Sequence, residues 1–199
     1  MAPIRRRMLV VTAIGLAVLT FLLVYITRIR TPSPQPPGAS APLFQPLDPP
    51  PTAEAPREGA RAPEFAAARF GGGTLRLADL REKGVVMNFF ASWCTPCKVE
   101  APALEAAYRK YQSQGIVFLG VDVQQDTWDD AVDFLEAFGM TYPAVRDANG
   151  EIARKYQLIG LPTTYFIDRD GIVRAKVVGA FFGPDGINDL ERRIQLILP

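Results

Sequence analysis

Histidine is absent from this 199-residue chain, and cysteine occurs only twice. Without imidazole there is no His-assisted proton transfer and no His-ligated metal. Covalent haem attachment needs a His directly after a Cys pair, and Lys98 stands there instead. A zinc site would have to complete its shell with carboxylates, so no metal is expected. An excess of one charge is missing too. Lys+Arg number 22 and Asp+Glu 21. Six of those basic and three of those acidic residues precede residue 59, leaving 16 against 18 in the remainder. A near-neutral surface argues against nucleic acid or an anionic membrane surface as partner. No flavin or nicotinamide fingerprint occurs, so no cofactor is expected. There is no internal repeat.

What is present is concentrated in Trp93-Cys94-Thr95-Pro96-Cys97-Lys98, directly after the apolar run Val85-Val86-Met87-Asn88-Phe89-Phe90. A strand ending there and feeding a helix that begins near Cys94 puts that sulfur at a helix N-terminus. Unpaired backbone N–H groups at such a point favour the thiolate and lower the thiol pKa below its free value of about 8.5. The second thiol can then close an intramolecular disulfide, and this spacing supports thiol–disulfide exchange. A purely structural bridge is the alternative, although so small a loop gains little from chain entropy.

The N-terminal part divides into an anchor and a tether. Met8–Ile26 contains no charged residue, and 19 residues at about 1.5 Å each span roughly 28 Å, close to a bilayer's hydrocarbon thickness. Arg5, Arg6 and Arg7 precede it, and Arg28 and Arg30 follow, so the N-terminus is expected to stay cytoplasmic. A cleaved signal peptide competes, but Ala39-Ser40-Ala41 lies more than ten positions downstream of the run. With no Cys nearby, a lipoprotein anchor is excluded. The reading is an uncleaved transmembrane anchor over 1–30, then a Pro-rich tether over 31–58. Ten of the chain's 18 prolines fall between Pro32 and Pro56, a composition that cannot form a packed core.

Residues 59–199 form the soluble domain. Glu64–Phe70 and Thr74–Leu77 flank Gly71-Gly72-Gly73 as a hairpin. A phosphate loop is the alternative for those glycines, but no helix with a Lys or Ser/Thr signature follows. Strands are expected at 85–90, 116–123 and 142–146, and a hairpin at 163–168 and 172–178. Helices are expected at 98–112, interrupted by Pro102, and from a cap at Asp126 or Thr127 to Phe138. Two more should cover 150–156 and 185–198. Such alternation indicates an α/β sheet with helices on both faces.

These segments resemble the thioredoxin-fold family, and within it the membrane-tethered TlpA/ResA-like branch of extracytoplasmic thiol–disulfide oxidoreductases. The resemblance covers roughly 60–197. It rests on Val86 through Cys97, on Glu100 and Pro102, and on Gly160-Leu161-Pro162-Thr163-Thr164-Tyr165-Phe166-Ile167-Asp168. The helix and strand between Asp126 and Asp147 are similar to that branch's central insertion. The resemblance implies a thioredoxin fold with an N-terminal β-hairpin. It implies Cys94 as an exposed attacking thiolate, Cys97 as a more buried resolving thiol, and Pro162 in cis opposite them. Trp93 would cover the site, with core packing as its alternative. Thr95 and Pro96 would tune the potential, and Leu161 with Pro162 would align the partner.

Two departures matter. Asn88 stands where plain thioredoxins carry a buried Asp, and Gln125 where the branch often carries a Glu. Asp126 is then a candidate for proton handling, with helix capping as its alternative. Glu100 is a candidate too, with a solvated helix position as its alternative. The expected function is reduction of disulfide-containing protein partners, including apocytochrome c haem-attachment cysteines, on the outer face of the cytoplasmic membrane. Electrons would come from a membrane thiol donor. A peroxiredoxin-like peroxidase and a non-enzymatic Cu(I) thiol metallochaperone are the alternatives.

Overall fold

The computed structural model describes residues 20–25, 56–123 and 125–199. The chain divides into two units, 1–48 and 49–199. In the first, residues 20–25 are helical (α1), and the side chains of Phe21 to Tyr25 are exposed. The rest of the expected anchor and nearly all of the expected tether lie outside the described residues. Among the described residues no helix is long and apolar enough to cross a membrane.

The second unit is built on a seven-stranded mixed sheet. In chain order its strands are β1 (Ala66–Arg69), β2 (Thr74–Arg76), β3 (Gly84–Phe90), β4 (Ile116–Asp122), β5 (Ala144–Arg146), β6 (Thr163–Ile167) and β7 (Val173–Val178). Their spatial order is β2-β1-β5-β4-β3-β6-β7. β3 is buried at every position because it is central and covered on both faces, which is why it reads as an unbroken apolar run. It pairs parallel with β4 and antiparallel with β6. The β1–β2 hairpin turns at Gly71, Gly72 and Gly73, whose φ values of 87, 104 and 81° only glycine adopts readily. The inserted strand β5 lies between β4 and that hairpin. Residues 59–62 lie against β7, with Gly59 N–H donating to Val173 O at 2.8 Å.

The helices are α2 (Thr95–Tyr111), α3 (Trp128–Ala137), α4 (Glu151–Lys155) and α5 (Gly183–Gln195). Side chains alternate across β3, so two cores form. Met87 and Phe89 pack with Tyr156, Tyr165 and both cysteines, whereas Val86 packs with Leu104, Phe118, Phe166, Leu190 and Ile194. Phe89, Tyr156 and Tyr165 form a ring cluster at 5.0–6.0 Å between centroids, each such pair contributing about 0.5–1.5 kcal/mol beyond area burial.

Two expectations are corrected, and one choice left open is decided. α2 begins at Thr95 rather than Lys98, because Cys94 itself is the N-cap and Pro96 occupies the first turn, where its missing N–H costs nothing. Pro102 does not interrupt the helix: buried Cys97, Ala101 and Leu104 hold both sides of it against the sheet. α3 is capped by Thr127, whose hydroxyl accepts the Asp130 N–H at 3.1 Å, and not by Asp126.

Candidate active site

The end of β3 and the start of α2 create the site. Cys94 N–H donates to Ala91 O at 3.1 Å, closing a tight turn over Ser92 and Trp93. The chain leaves that turn into α2 with Cys94 as N-cap, and Cys94 Sγ accepts the Cys97 N–H at 3.2 Å. A thiolate in that position would receive the same hydrogen bond and face the positive end of the helix, both of which favour the charged form. Here the two sulfurs are joined, with S–S 2.04 Å and Cα–Cα 5.3 Å. Both residues are covered, Cys94 at 4% exposure and Cys97 at 1%, so the exposed Cys94 expected from the sequence is instead a nearly covered one. What distinguishes them is that Cys94, and not Cys97, lines an open cleft of about 930 Å³.

The cleft is walled by Trp93, Pro96, Val123, Leu158 and Leu161 around Cys94, with Arg154 and Gln125 as polar edges. Trp93 is 55% exposed, so it is a cleft wall and not a core residue. Thr95 also lines the cleft, and both it and Pro96 are exposed. Opposite stands the loop before β6, in which the Leu161–Pro162 peptide is cis. Pro162 is buried, and its carbonyl accepts the Gly179 N–H at 2.9 Å, tying the loop to the end of β7.

Glu100, one helical turn beyond Cys97, is 1% exposed rather than solvated. Its Oε1 accepts from Asn88 Nδ2 at 2.7 Å, and its Oε2 accepts the Phe181 N–H at 3.0 Å. Asn88 Nδ2 also donates to Thr164 Oγ1 at 3.0 Å. Burial pushes the Glu100 carboxyl up to about 7, against the opposing effect of the two hydrogen bonds. A buried acid that titrates near neutrality, a turn from a thiol, is equipped to hold or release a proton there.

Asp126 is 5% exposed and directs its carboxylate at the active-site turn. Oδ2 accepts the Ser92 N–H and Oδ1 the Ser92 hydroxyl, each at 2.5 Å. Behind it lies Asp122, fully buried, whose Oδ2 accepts from Arg146 Nη1 at 2.7 Å. Sequence reasoning missed Asp122, Arg146 and Ser92. The available signal was an acidic residue ending the apolar run of β4, a position where burial on both faces is the rule. Gln125, next to this group, lines the cleft.

A mixed sheet of this order, with a Cys-x-x-Cys disulfide capping the helix after its central strand and a cis-proline loop opposite, defines a thioredoxin-fold dithiol–disulfide site. The AhpC/TSA family profile matches residues 59–176. The chain is 36% identical over 141 residues to the thiol-disulfide oxidoreductase ResA of Geobacillus kaustophilus, covering 71% of this chain and 78% of that one. It is 36% identical over 123 residues to ResA of Bacillus subtilis, covering 61% and 68% respectively. Among solved structures, a protein assigned as the thiol:disulfide interchange protein DsbE of Chlorobium tepidum superposes with a TM-score of 0.65 at 32% identity. That match covers 70% of this chain and 96% of the other. The chain therefore belongs to the AhpC/TSA family, in its ResA-like branch, and is a thiol–disulfide oxidoreductase.

Proposed function

We propose that this oxidoreductase works as a reductant of partner-protein disulfides, with Cys94 attacking and Cys97 resolving. Cys94 thiolate displaces one partner sulfur and forms a mixed disulfide. Cys97 then loses its proton and attacks Cys94 Sγ, which expels the second partner thiolate. Two electrons pass to the partner, and the chain is left with the Cys94–Cys97 bond. Glu100 takes the Cys97 proton, Trp93 and Leu161 hold the partner beside the sulfur, and the Pro162 loop aligns its backbone. The observation that carries this reading is Cys94 Sγ at the α2 N-cap, lining the cleft and accepting the Cys97 N–H.

The substrate class we propose includes the haem-attachment disulfide of apocytochromes c, and the electron source a membrane thiol donor. Support comes from the resemblance to the TlpA/ResA-like branch and from a cleft with room for an extended chain. We place the domain outside the cytoplasmic membrane on an uncleaved Met8–Ile26 anchor. The uncharged run and the leading arginines support this, as does the helical state of residues 20–25 with apolar side chains outward. The test is reduction of an oxidised peptide carrying Cys-x-x-Cys-His by the full reduced chain in detergent. Stoichiometric peptide thiol is expected. Oxidation of a dithiol peptide, with the opposite transfer negligible at a glutathione poise near −200 mV, would reverse the direction.

A further inference from the structure

Asp122 and Asp126 are both buried and lie within hydrogen-bond reach of each other, beside the half-buried Arg146. Arg146 Nη1 binds Asp122 Oδ2, and Arg146 Nη2 donates to the backbone carbonyl of Asp126. Asp122 Oδ1 is buried and has no donor among the described residues. Two adjoining buried carboxylates, of which only Asp122 pairs with the guanidinium, leave an uncompensated negative charge, which is costly unless one acid keeps its proton. A proton on Asp122 Oδ1, donated to Asp126, removes both the excess charge and the orphaned oxygen. We propose that Asp122 and Asp126 hold one proton between them and, through Ser92, fix the Trp93–Cys94 turn, which makes both of them positioning residues for the exchange reaction.

The connection to the sulfur is short. Ser92 is an interior residue of the turn closed by Cys94 N–H to Ala91 O, and Asp126 grips it by both its N–H and its hydroxyl. With the shared proton in place the group is neutral: one carboxylate, one acid, one guanidinium. It therefore puts no net charge against a thiolate at Cys94. Loss of the proton leaves two like charges side by side, and the grip on Ser92 loosens. The groups facing Asp122 are Asp126 from the β4–α3 loop and Arg146 from β5. Asp147, whose N–H donates to Asp122 O, turns its own carboxylate to the N–H groups of Ile152 and Ala153. Phe90, opposite on β3, is apolar. Burial first, then Asp126, push Asp122 up to about 8 against the pull of Arg146.

The inference rests on Cys94 as the attacking sulfur, but its first readout involves no thiol. In the oxidised full chain carrying Trp128→Phe, Trp93 is the one remaining indole. Its fluorescence is expected to change with a midpoint near pH 8, and Asp122→Asn, which can still donate to Asp126, should abolish that transition. Ser92→Ala removes a donor that screens the Asp126 carboxylate, so more of its charge faces Asp122 and the midpoint should rise by about half a unit or more. In the reduced chain, exchange with a small aromatic disulfide, expressed per thiolate, should fall about three-fold above the midpoint in the wild type and not in Asp122→Asn, as misplacement of a reacting group implies. A flat wild-type trace, or the same midpoint in Asp122→Asn, overturns the proposal. If Asp122→Asn does not fold, an unmoved midpoint in Ser92→Ala overturns it. Exchange that survives Cys94→Ala while the fluorescence transition persists would instead remove the assigned role of Cys94.

Discussion

Asn88 Nδ2 donates to Glu100 Oε1 at 2.7 Å and thereby ties the central strand to the redox helix one turn beyond Cys97. An acid at position 88 would set two buried carboxylates against each other. The amide leaves one acid in the pocket, supplies it with a donor and reaches on to Thr164, two residues past the cis proline. The buried acid of this site therefore stands on the helix and not on the strand, and the Phe181 N–H links it to the β7–α5 loop as well.

This arrangement fixes the sign of a stability effect. Glu100 is raised from 4.5 to about 7 in the folded protein. Its contribution is therefore fully present below pH 4.5 and is lost as pH rises through 7. Glu100→Gln lacks that loss. Between pH 5 and pH 8 the mutant should gain stability relative to wild type, by on the order of 2–3 kcal/mol for a shift of this size. Urea unfolding at the two pH values measures it, and a pH-independent difference would count against a buried, titrating Glu100.

The same substitution should slow resolution of the mixed disulfide several-fold above pH 7, where a carboxylate is available in the wild type and an amide is not. Single-turnover kinetics with a trapped partner separates this step from the first attack, which should be unaffected. Equal resolution rates would leave Glu100 a structural acid.

Cys97→Ala should accumulate a mixed disulfide through Cys94, because Cys94 lines the cleft and Cys97 does not. Cys94→Ala should accumulate far less. Alkylation of the reduced chain, followed residue by residue, checks the order: faster modification of Cys97 would contradict the assignment.

Much of this was legible in the chain. β3 and β4 are read directly because strands covered on both faces are near-continuous apolar runs, β6 and β7 are read as a hairpin around Arg169-Asp170-Gly171, and the Cys pair locates itself at the strand–helix junction. The helix start near Cys94 was legible from the Cys pair, but the helical stretch itself was read only from Lys98, because Cys94 caps only through its sulfur, which propensity does not weigh. Pro102 looked like a break because packing around it is not visible locally. The choice between Asp126 and Thr127 as the cap stayed open for a similar reason. An Asp before Thr and two further acids has the local signature of a helix start, whereas its real partner, Ser92, is 34 residues away. Long-range pairing also hid Asp122–Arg146, across neighbouring strands.

Thr127 and Asp126 are adjacent, and their substitutions should separate cleanly. Thr127→Ala removes the α3 cap and should cost about 1 kcal/mol with little effect on exchange. Asp126→Ala removes both Ser92 acceptors and should slow attack by Cys94 as well as destabilise the fold. Thermal unfolding and exchange kinetics on the two variants give the comparison; equal kinetic effects would deny Asp126 its hold on the active-site turn.

Topology can be read from the same sulfur. Three arginines before the uncharged Met8–Ile26 run outweigh the two that follow, and with the amino terminus they favour a cytoplasmic N-terminus. Cys94 should then face outward, on a chain that keeps its first residues. The two sulfurs are joined as a disulfide, which a maleimide does not alkylate, so labelling requires prior reduction. After mild reduction of intact cells, or of spheroplasts where an outer membrane intervenes, a membrane-impermeant maleimide should modify Cys94 fully. Cys97→Ala removes the competing thiol from the measurement. Mass spectrometry of the purified chain reports at once the label and the N-terminal peptide. Protection until lysis would invert the orientation, and a mature N-terminus near residue 42 would replace the anchor by a cleaved leader.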